Sequence, residues 1–169
     1  MAEHPFVVNV AALRKRAGTR RPVQLEGPLP GLSVTGSAVP DGGIVTADLL
    51  LEGLAGEAIL ATGAVTAPWE GPCRRCLGTA CGTVTTEVRE LFEVASDEEE
   101  TYPLKGDRVD LEPLVRDAVL LELPQAPLCM EECQGLCPTC GANRNEGTCT
   151  CDTTPRDPRW SALDQLRER

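Results

Sequence analysis

Cysteines are the residues of this 169-residue chain that could do chemistry, and eight of the nine fall into two dense groups. The first group is the Cys-x-x-Cys pair Cys73 and Cys76, with Cys81 five residues farther on. The second group comprises Cys129, Cys133, Cys137, Cys140, Cys149 and Cys151. A Cys-x-x-Cys spacing lets two thiolates grip one tetrahedral ion across a tight turn. The spacing therefore predicts structural metal binding, with about two zinc ions per chain.

Three other chemistries also use paired cysteines. A thioredoxin-type dithiol lies between a strand and a helix of a βαβ unit, whereas Cys73 follows Pro72 in a segment that is typical of antiparallel sheet. An iron–sulfur cluster also takes four cysteines, but none of the ferredoxin-type spacings occurs. A disulfide framework fits an odd number of cysteines poorly. The pattern favours structural zinc over these alternatives without excluding an iron–sulfur cluster.

The eight ligands can be divided in two ways. In the favoured division the last four cysteines form a local site, Cys137, Cys140, Cys149 and Cys151, because eight intervening residues close a compact loop at little entropic cost. A second site then joins the sheet to the C-terminal segment through Cys73, Cys76, Cys129 and Cys133. The alternative pairs the two Cys-x-x-Cys motifs with each other, as in a zinc ribbon. Cys81 is left over in both, and we expect it to be a small apolar residue near the sheet.

Catalytic machinery is not evident in the sequence. Zinc sites filled by four protein sulfurs leave no open position for water or substrate. His4 is the one histidine and lies near the N-terminus. Neither a phosphate-binding glycine loop with its Lys-Ser/Thr nor a Gly-x-Ser-x-Gly elbow occurs. We therefore predict that the protein is not an enzyme.

The elements that must position the cysteines can be read from the hydropathy pattern. Residues 44–52 and 57–67 are typical of two strands joined by a small turn, and residues 83–94 alternate as a third. A short strand is predicted at 5–10, a helical turn at 11–16 and a Gly/Pro-rich loop at 27–43. These strands favour an antiparallel sheet with one buried face.

Two helices are predicted after the sheet. Asp110 is a plausible N-cap for a helix at 111–123 that ends before Pro124 and packs its apolar stripe on the sheet. A short tail helix is predicted at 158–169, with Trp160 packed back on the body. The fold class is therefore α+β: an antiparallel β-sheet with a packed helix, and a cysteine-rich zinc module at the C-terminal end. We predict a body at 1–125 and the module with its tail helix at 126–169.

The net charge and the expected cellular location limit the kinds of partner that the chain can bind. The formal net charge of −10 argues against non-specific binding to a phosphate backbone and favours a basic partner. A basic patch comprises Arg14, Lys15, Arg16, Arg20 and Arg21, and it is interpreted as a solvated loop, with a binding arm as the minority alternative. An acidic cluster lies at 97–100, and it is interpreted as a solvated linker, with a binding site for a basic partner as the minority alternative. The chain shows no secretory signal and no run of about 18 apolar residues, which predicts a cytoplasmic location where thiols stay reduced.

Several motifs together resemble one family. They are Cys73-Arg-Arg-Cys76-Leu77, the helix end running from Leu121 through Pro124 to Cys129, the run from Gly135 to Cys151, and Asp157-Pro-Arg-Trp160. They resemble the bacterial YceD family, also described as the large ribosomal RNA subunit accumulation protein family, in its cysteine-rich branch. The resemblance implies a role in accumulation of large-subunit ribosomal RNA and hence in ribosome assembly. Some relatives keep only the first cysteine pair and a His/Cys pair near positions 129 and 133, which supports the favoured division.

Two functions follow from different classes of protein. The leading hypothesis is a non-catalytic assembly factor that binds a basic ribosomal protein or a pre-large-subunit particle. Local RNA contact through Arg74, Arg75 and the basic patch is compatible with it. The alternative is a redox- or metal-responsive protein whose zinc-bound thiols sense stress.

Overall fold

A five-stranded sheet is the centre of the computed structural model, which describes residues 5–95, 101–147 and 149–151. The strand order is β2-β3-β4-β5-β6, and the bounds are Arg20–Pro28, Ile44–Gly53, Ile59–Pro72, Thr79–Glu93 and Tyr102–Pro103. Strands β2 to β5 form an antiparallel meander, and β6 pairs with the end of β5 in parallel. A second, two-stranded sheet joins β1 (Val7–Asn9) to β7 (Arg108–Asp110). The helices are α1 (Ala11–Arg14) and α2 (Glu112–Glu122).

Alternation along the strands decides which face of the large sheet is buried. On β3 the side chains of Val45, Ala47, Leu49 and Leu51 are buried. Between them lie Thr46, Asp48 and Leu50, which are partly or fully exposed. A period of two places these two sets on opposite faces. The predicted antiparallel sheet with one buried and one wet face is confirmed.

Helix α2 covers the buried face of the sheet. Its buried side chains are Leu114, Val115 and Val119, and they belong to the same apolar core as Ile59 and Phe92. The N-cap position is Leu111 and not Asp110 as predicted, but the Asp110 carboxylate just before it accepts a hydrogen bond from the backbone N–H of Glu112 at 3.0 Å. At its end Leu123 is extended before Pro124, a conformation that proline imposes on the preceding residue. The predicted packed helix is confirmed, and the α+β class with it.

The prediction for the segment after α1 was wrong in two respects. Arg20 and Arg21 lie in edge strand β2 and not in a solvated loop, and the predicted loop at 27–43 begins only after Pro28. Its charged residues and two prolines are not typical of a strand, so the sequence did not indicate one there. Its period-two apolar positions, Val23 and Leu25, are partly buried against the core. Prolines are tolerated there because one edge of β2 has no neighbouring strand in the described sheet.

Several smaller points complete the comparison. The predicted first strand and helical turn are present but shorter, and β6 and β7 were not predicted. Arg14, counted in the basic patch, forms ion pairs with Glu57 and Asp107. His4, the acidic cluster at 97–100 and the predicted tail helix with Trp160 lie outside the described residues. Among those that are described, no helix is long and apolar enough to cross a lipid bilayer.

Candidate metal centres

The turn between β4 and β5 carries the first Cys-x-x-Cys pair. Strand β4 ends at Pro72 and β5 begins at Thr79, so the pair occupies the connection of a long hairpin. The turn is closed by hydrogen bonds from the Cys73 N–H to the Gly78 carbonyl at 2.7 Å and from the Leu77 N–H to the Cys73 carbonyl at 2.9 Å. Leu77 has a φ of +61°, a left-handed conformation that is uncommon for leucine. The turn holds this strained residue with its side chain exposed.

The segment after α2 brings the partner cysteines to this turn. The Ser37 hydroxyl donates to the Pro124 carbonyl at 2.8 Å, and the Arg74 N–H donates to the Pro127 carbonyl at 2.9 Å. Both bonds hold the segment that follows the end of α2. Two residues beyond Pro127, Cys129 lies against the turn.

Four sulfur atoms meet at this place, and we name Cys73, Cys76, Cys129 and Cys133 the first cluster. The Sγ atoms of Cys76 and Cys129 are 3.6 Å apart and those of Cys73 and Cys133 are 3.8 Å apart. All four sulfurs lie within 4.8 Å of one another. Cys73 and Cys133 are buried with Ala80 in an apolar cluster separate from the main core, with Leu128 packed against it.

The pKa values in the first cluster are spread by hydrogen bonds from backbone and amide groups to the sulfurs and by hydrogen bonds among the sulfurs. The pKa of Cys73 is lowered to about 6, chiefly because the backbone N–H of Cys76 points at its sulfur. The pKa of Cys133 is also lowered: burial acts to raise it, but donors including Asn145 outweigh burial. In contrast, the pKa of Cys129 is raised to about 12 because its thiol donates to neighbouring sulfurs, first Cys76. All four neighbouring sulfurs can therefore be deprotonated at once only if a cation lies between them and offsets their negative charge.

The remaining ligands form a second cluster, which we define as Cys137, Cys140, Cys149 and Cys151. Their sulfur atoms also lie within 4.8 Å of one another. The turn is closed by the Gly141 N–H donating to the Cys137 carbonyl at 2.9 Å, with Gly141 at a φ of +73°. The pKa of Cys137 is lowered to about 6, first by the backbone N–H of Cys140, and that of Cys151 is raised to about 12, first by its thiol bonding to Cys140.

Both clusters have the dimensions of a tetrahedral metal site. With metal–sulfur bonds of about 2.3 Å, a zinc tetrahedron has sulfur–sulfur edges of about 3.8 Å. Two sulfur pairs of the first cluster, at 3.6 and 3.8 Å, match that edge. A donor set of four cysteine sulfurs suits zinc and iron–sulfur chemistry and does not suit magnesium or calcium. The residues thus fit a soft divalent ion.

The structure brings the sequence-predicted cysteines together in the favoured division. The zinc-ribbon alternative would need the sulfurs of Cys73 and Cys76 beside those of Cys137 and Cys140, and the sulfurs do not group in that way. Cys81, left over in both divisions, lies outside both groups and in the sheet itself, exposed on β5 opposite Glu70. Its place in the strand follows the alternation of β5, which puts it on the solvent side.

One polar residue near the clusters was not predicted. Asn145 lies in the loop between Cys140 and Cys149, yet its side-chain amide donates to the sulfur of Cys133 in the first cluster at 3.3 Å. The sequence carries a weak indication of it, since Asn143 and Asn145 are amides inside a metal-binding loop. Sequence spacing alone cannot show that such an amide reaches the other cluster.

Comparison with known proteins places these features in a family. A family model described as "Large ribosomal RNA subunit accumulation protein YceD" matches residues 61–167. An uncharacterized protein of Mycobacterium bovis is 33% identical over 96% of this chain and 81% of its own, and one of Mycobacterium leprae is 32% identical over 82% and 67%.

A plant relative is also similar over part of the chain. "Large ribosomal RNA subunit accumulation protein YCED homolog 1, chloroplastic" of Arabidopsis thaliana is 34% identical over 40% of this chain and 21% of its own. No solved structure matches. The family model covers both cysteine clusters and helix α2, and it confirms the resemblance that the sequence motifs indicated. This chain belongs to the YceD family.

Proposed function

We propose that this protein supports the accumulation of large-subunit ribosomal RNA, and hence ribosome assembly, as a non-catalytic binding factor with two structural zinc ions. The family name supplies the process. The observation that carries the mode of action is the pair of four-sulfur clusters. Sites of this composition are closed, since no ligand position remains for substrate, and they shape a surface without reacting.

Zinc is the ion that the geometry favours. The sulfur–sulfur distances of the first cluster suit one ion at the centre of a tetrahedron. An iron–sulfur cluster places more than one ion among its cysteines and needs more room between their sulfurs. We propose that the chain works in the cytoplasm, where a reducing environment keeps the ligands as thiolates.

The open face of the large sheet is the surface that we propose for the partner. By strand register, six carboxylates share this face with two guanidinium groups: Glu26, Asp48, Glu52, Glu70, Glu87 and Glu93 with Arg20 and Arg89. Arg20 is already paired with Glu52 at 3.0 Å. The face is thus acidic, as the whole chain is, and it favours a basic protein over a phosphate backbone.

A shallow groove crosses this face over strands β2 to β5. Gly63 sits in β4 with a φ of +148°, and a Cβ atom there would lie 2.1 Å from the Asp48 carbonyl oxygen. Asp48, Leu50 and Glu87 line the groove beside it. An apolar floor between two carboxylates suits a Lys or Arg side chain, whose stem is apolar and whose end is charged.

The division into parts is also a proposal. We propose a sheet-and-helix body at 1–125 and a zinc-binding module with a tail helix at 126–169. Two observations support a division near residue 125: the main core takes in α2 up to Leu123, and Cys133 belongs to the separate small cluster around Cys73.

A gradient experiment tests the proposed function. Tagged protein should co-sediment with pre-large-subunit particles and retain a basic protein when the RNA is digested. The double charge reversal Asp48→Lys and Glu87→Lys should abolish the protein contact. The matched control Asp41→Lys and Glu122→Lys changes net charge equally at exposed positions in a loop and at the end of α2.

Two results would contradict parts of this proposal. Absence from every pre-large-subunit particle would argue against the assembly role. Binding to large-subunit RNA fragments with a steep log–log dependence on salt would replace the protein partner by RNA, since such a slope counts phosphate contacts.

A further inference from the structure

We propose that Asn145 couples the two cysteine clusters, so that metal in the second cluster strengthens metal binding in the first. The inference rests on the proposed zinc sites. Asn145 belongs to the second cluster by sequence, because it lies between the ligands Cys140 and Cys149. Its side chain nevertheless contacts the first cluster, where its amide nitrogen lies 3.3 Å from the sulfur of Cys133.

The orientation of the Asn145 amide is fixed by its neighbours. The backbone N–H of Gln134 lies 2.7 Å from the side-chain oxygen of Asn145, and an N–H can only donate. The atom that accepts this bond must therefore be the amide oxygen. The NH2 group then points at the Cys133 sulfur, as a donor to a thiolate should.

Two further hydrogen bonds within the same loop orient the side-chain amide of Asn145. The NH2 group of Asn145 also donates to the side-chain oxygen of Asn143 at 2.8 Å. The amide nitrogen of Asn143 in turn donates to the Glu146 carboxylate at 2.7 Å. All three residues lie in the loop of the second cluster, so the donor to Cys133 is oriented by that loop.

Backbone contacts join the same loop to the segment that carries Cys133. The Arg144 N–H donates to the Gly135 carbonyl at 2.9 Å, and Leu136 pairs with Asn143 in an isolated β-bridge. The Leu136 N–H also donates to the Arg75 carbonyl at 3.1 Å, inside the turn of the first cluster. The two clusters therefore share one continuous set of contacts.

Metal in the second cluster is what closes this loop. An ion bound to both Cys140 and Cys149 joins the two ends of the loop and removes most of its conformational freedom. Asn145 is then already in place when the first cluster binds metal, because the conformational entropy of its loop was lost when the second cluster bound its ion. By thermodynamic linkage, metal in the first cluster must strengthen binding in the second by the same factor.

Thiol protection by zinc can measure the two clusters separately. The full-length chain is exposed to an alkylating reagent at buffered free-zinc concentrations, and peptide mass mapping shows which cysteines are protected. Outer-shell partners of metal ligands are typically worth about 10–100-fold in affinity. Asn145→Asp should therefore raise the free zinc needed to protect the first cluster by about that factor. Gln24→Glu is the matched control, an amide-to-acid change on the open sheet face.

A second variant tests coupling without touching Asn145. The double substitution Cys140→Ser and Cys151→Ser removes the second site and should weaken the first by a similar factor. Asn145→Asp should add little in that background, because coupled changes are not additive.

The outcomes separate this inference from the zinc proposal. If the unmodified chain shows no protection by zinc at either cluster, the zinc sites and the coupling are both wrong. If it is protected, but Asn145→Asp behaves as Gln24→Glu does, the coupling alone is wrong. The same conclusion follows if removal of the second site leaves the first unchanged.

Discussion

The sulfur atoms of Cys76 and Cys129 lie 3.6 Å apart although 53 residues separate them along the chain. The first residue sits in the β4–β5 turn and the second follows helix α2. An ion held between them would cross-link the hairpin to the segment beyond the helix and close a long loop. Because the four sulfurs meet only in the folded chain, the free energy of binding the ion would add to the stability of the fold.

Metal content should follow the two clusters. The purified chain should carry two zinc ions, and Cys76→Ser should remove one of them because three sulfurs hold the ion less tightly than four. Cys81→Ser is the control, since Cys81 is outside both clusters, and it should keep both ions. Elemental analysis with thiol counting measures this. An iron-containing chain, or thiols that form reversible disulfides in place of binding metal, would favour the redox-responsive alternative.

Removal of metal should loosen one part of the molecule and spare the other. Hydrogen exchange after chelation should show lost protection at the N–H groups of Arg74 and Leu136, which donate to Pro127 and Arg75. Amides of β3 and β4 should keep their protection, because their core is separate from the small apolar cluster at Cys73 and Cys133. Global loss of protection would show instead that the sheet depends on the metal.

Helix α2 offers a matched pair of leucines for a packing test. Leu114 is 1% exposed and Leu121 is 87% exposed. Leu114→Ala should lower the free energy of unfolding by about 2–5 kcal/mol, because it leaves a cavity against the sheet. Leu121→Ala should change the same quantity by at most about 0.5 kcal/mol. Urea denaturation of both variants measures the difference, and equal effects would contradict the packing described here.

Much of the fold was predictable because its residues follow simple periods. The alternation along β3 to β5 and the helical spacing of Leu111, Leu114 and Val115 depend only on which face is buried. Cysteine spacing likewise indicates which ligands belong together, since short loops close at low cost.

The parts that were missed depend on tertiary contacts. Strand β2 contains Arg20, Arg21 and two prolines, and only its pairing with β3 makes it a strand. The contact between Asn145 and Cys133 joins residues from different clusters, and no local pattern encodes it. Local sequence rules fail where the deciding partner is distant in the chain.

A close backbone approach beside the first cluster should tolerate no side chain. A Cβ atom added at Gly36 would lie 2.1 Å from the carbonyl oxygen of Gln125, in the segment that leads from α2 to Cys129. Gly36→Ala should therefore lower the thermal midpoint and weaken zinc binding at the first cluster. Gly147→Ala is the control, because nothing lies within 4 Å of its added Cβ. Calorimetry with zinc competition measures both, and equal midpoints would contradict the geometry.

Tyr102 should make stability fall at alkaline pH. Burial raises its pKa, and a hydrogen bond from its hydroxyl to the Asp117 carboxylate at 2.8 Å raises the pKa further. In the unfolded chain the Tyr102 hydroxyl ionises at about pH 10, which is a lower pH than in the folded chain. The stability that Tyr102 contributes is therefore constant below about pH 10 and is lost as pH rises beyond it.

Urea midpoints of the natural chain and of Tyr102→Phe, measured from pH 8 upward, should show this loss as a difference that shrinks above about pH 10. Because the chain has a single tyrosine, the ultraviolet absorbance of phenolate reports the same ionisation directly. Asp117→Asn removes the carboxylate and should shift that absorbance change to lower pH. A phenolate that forms in the folded chain at its ordinary pKa would show that the contact between β6 and α2 is absent in solution.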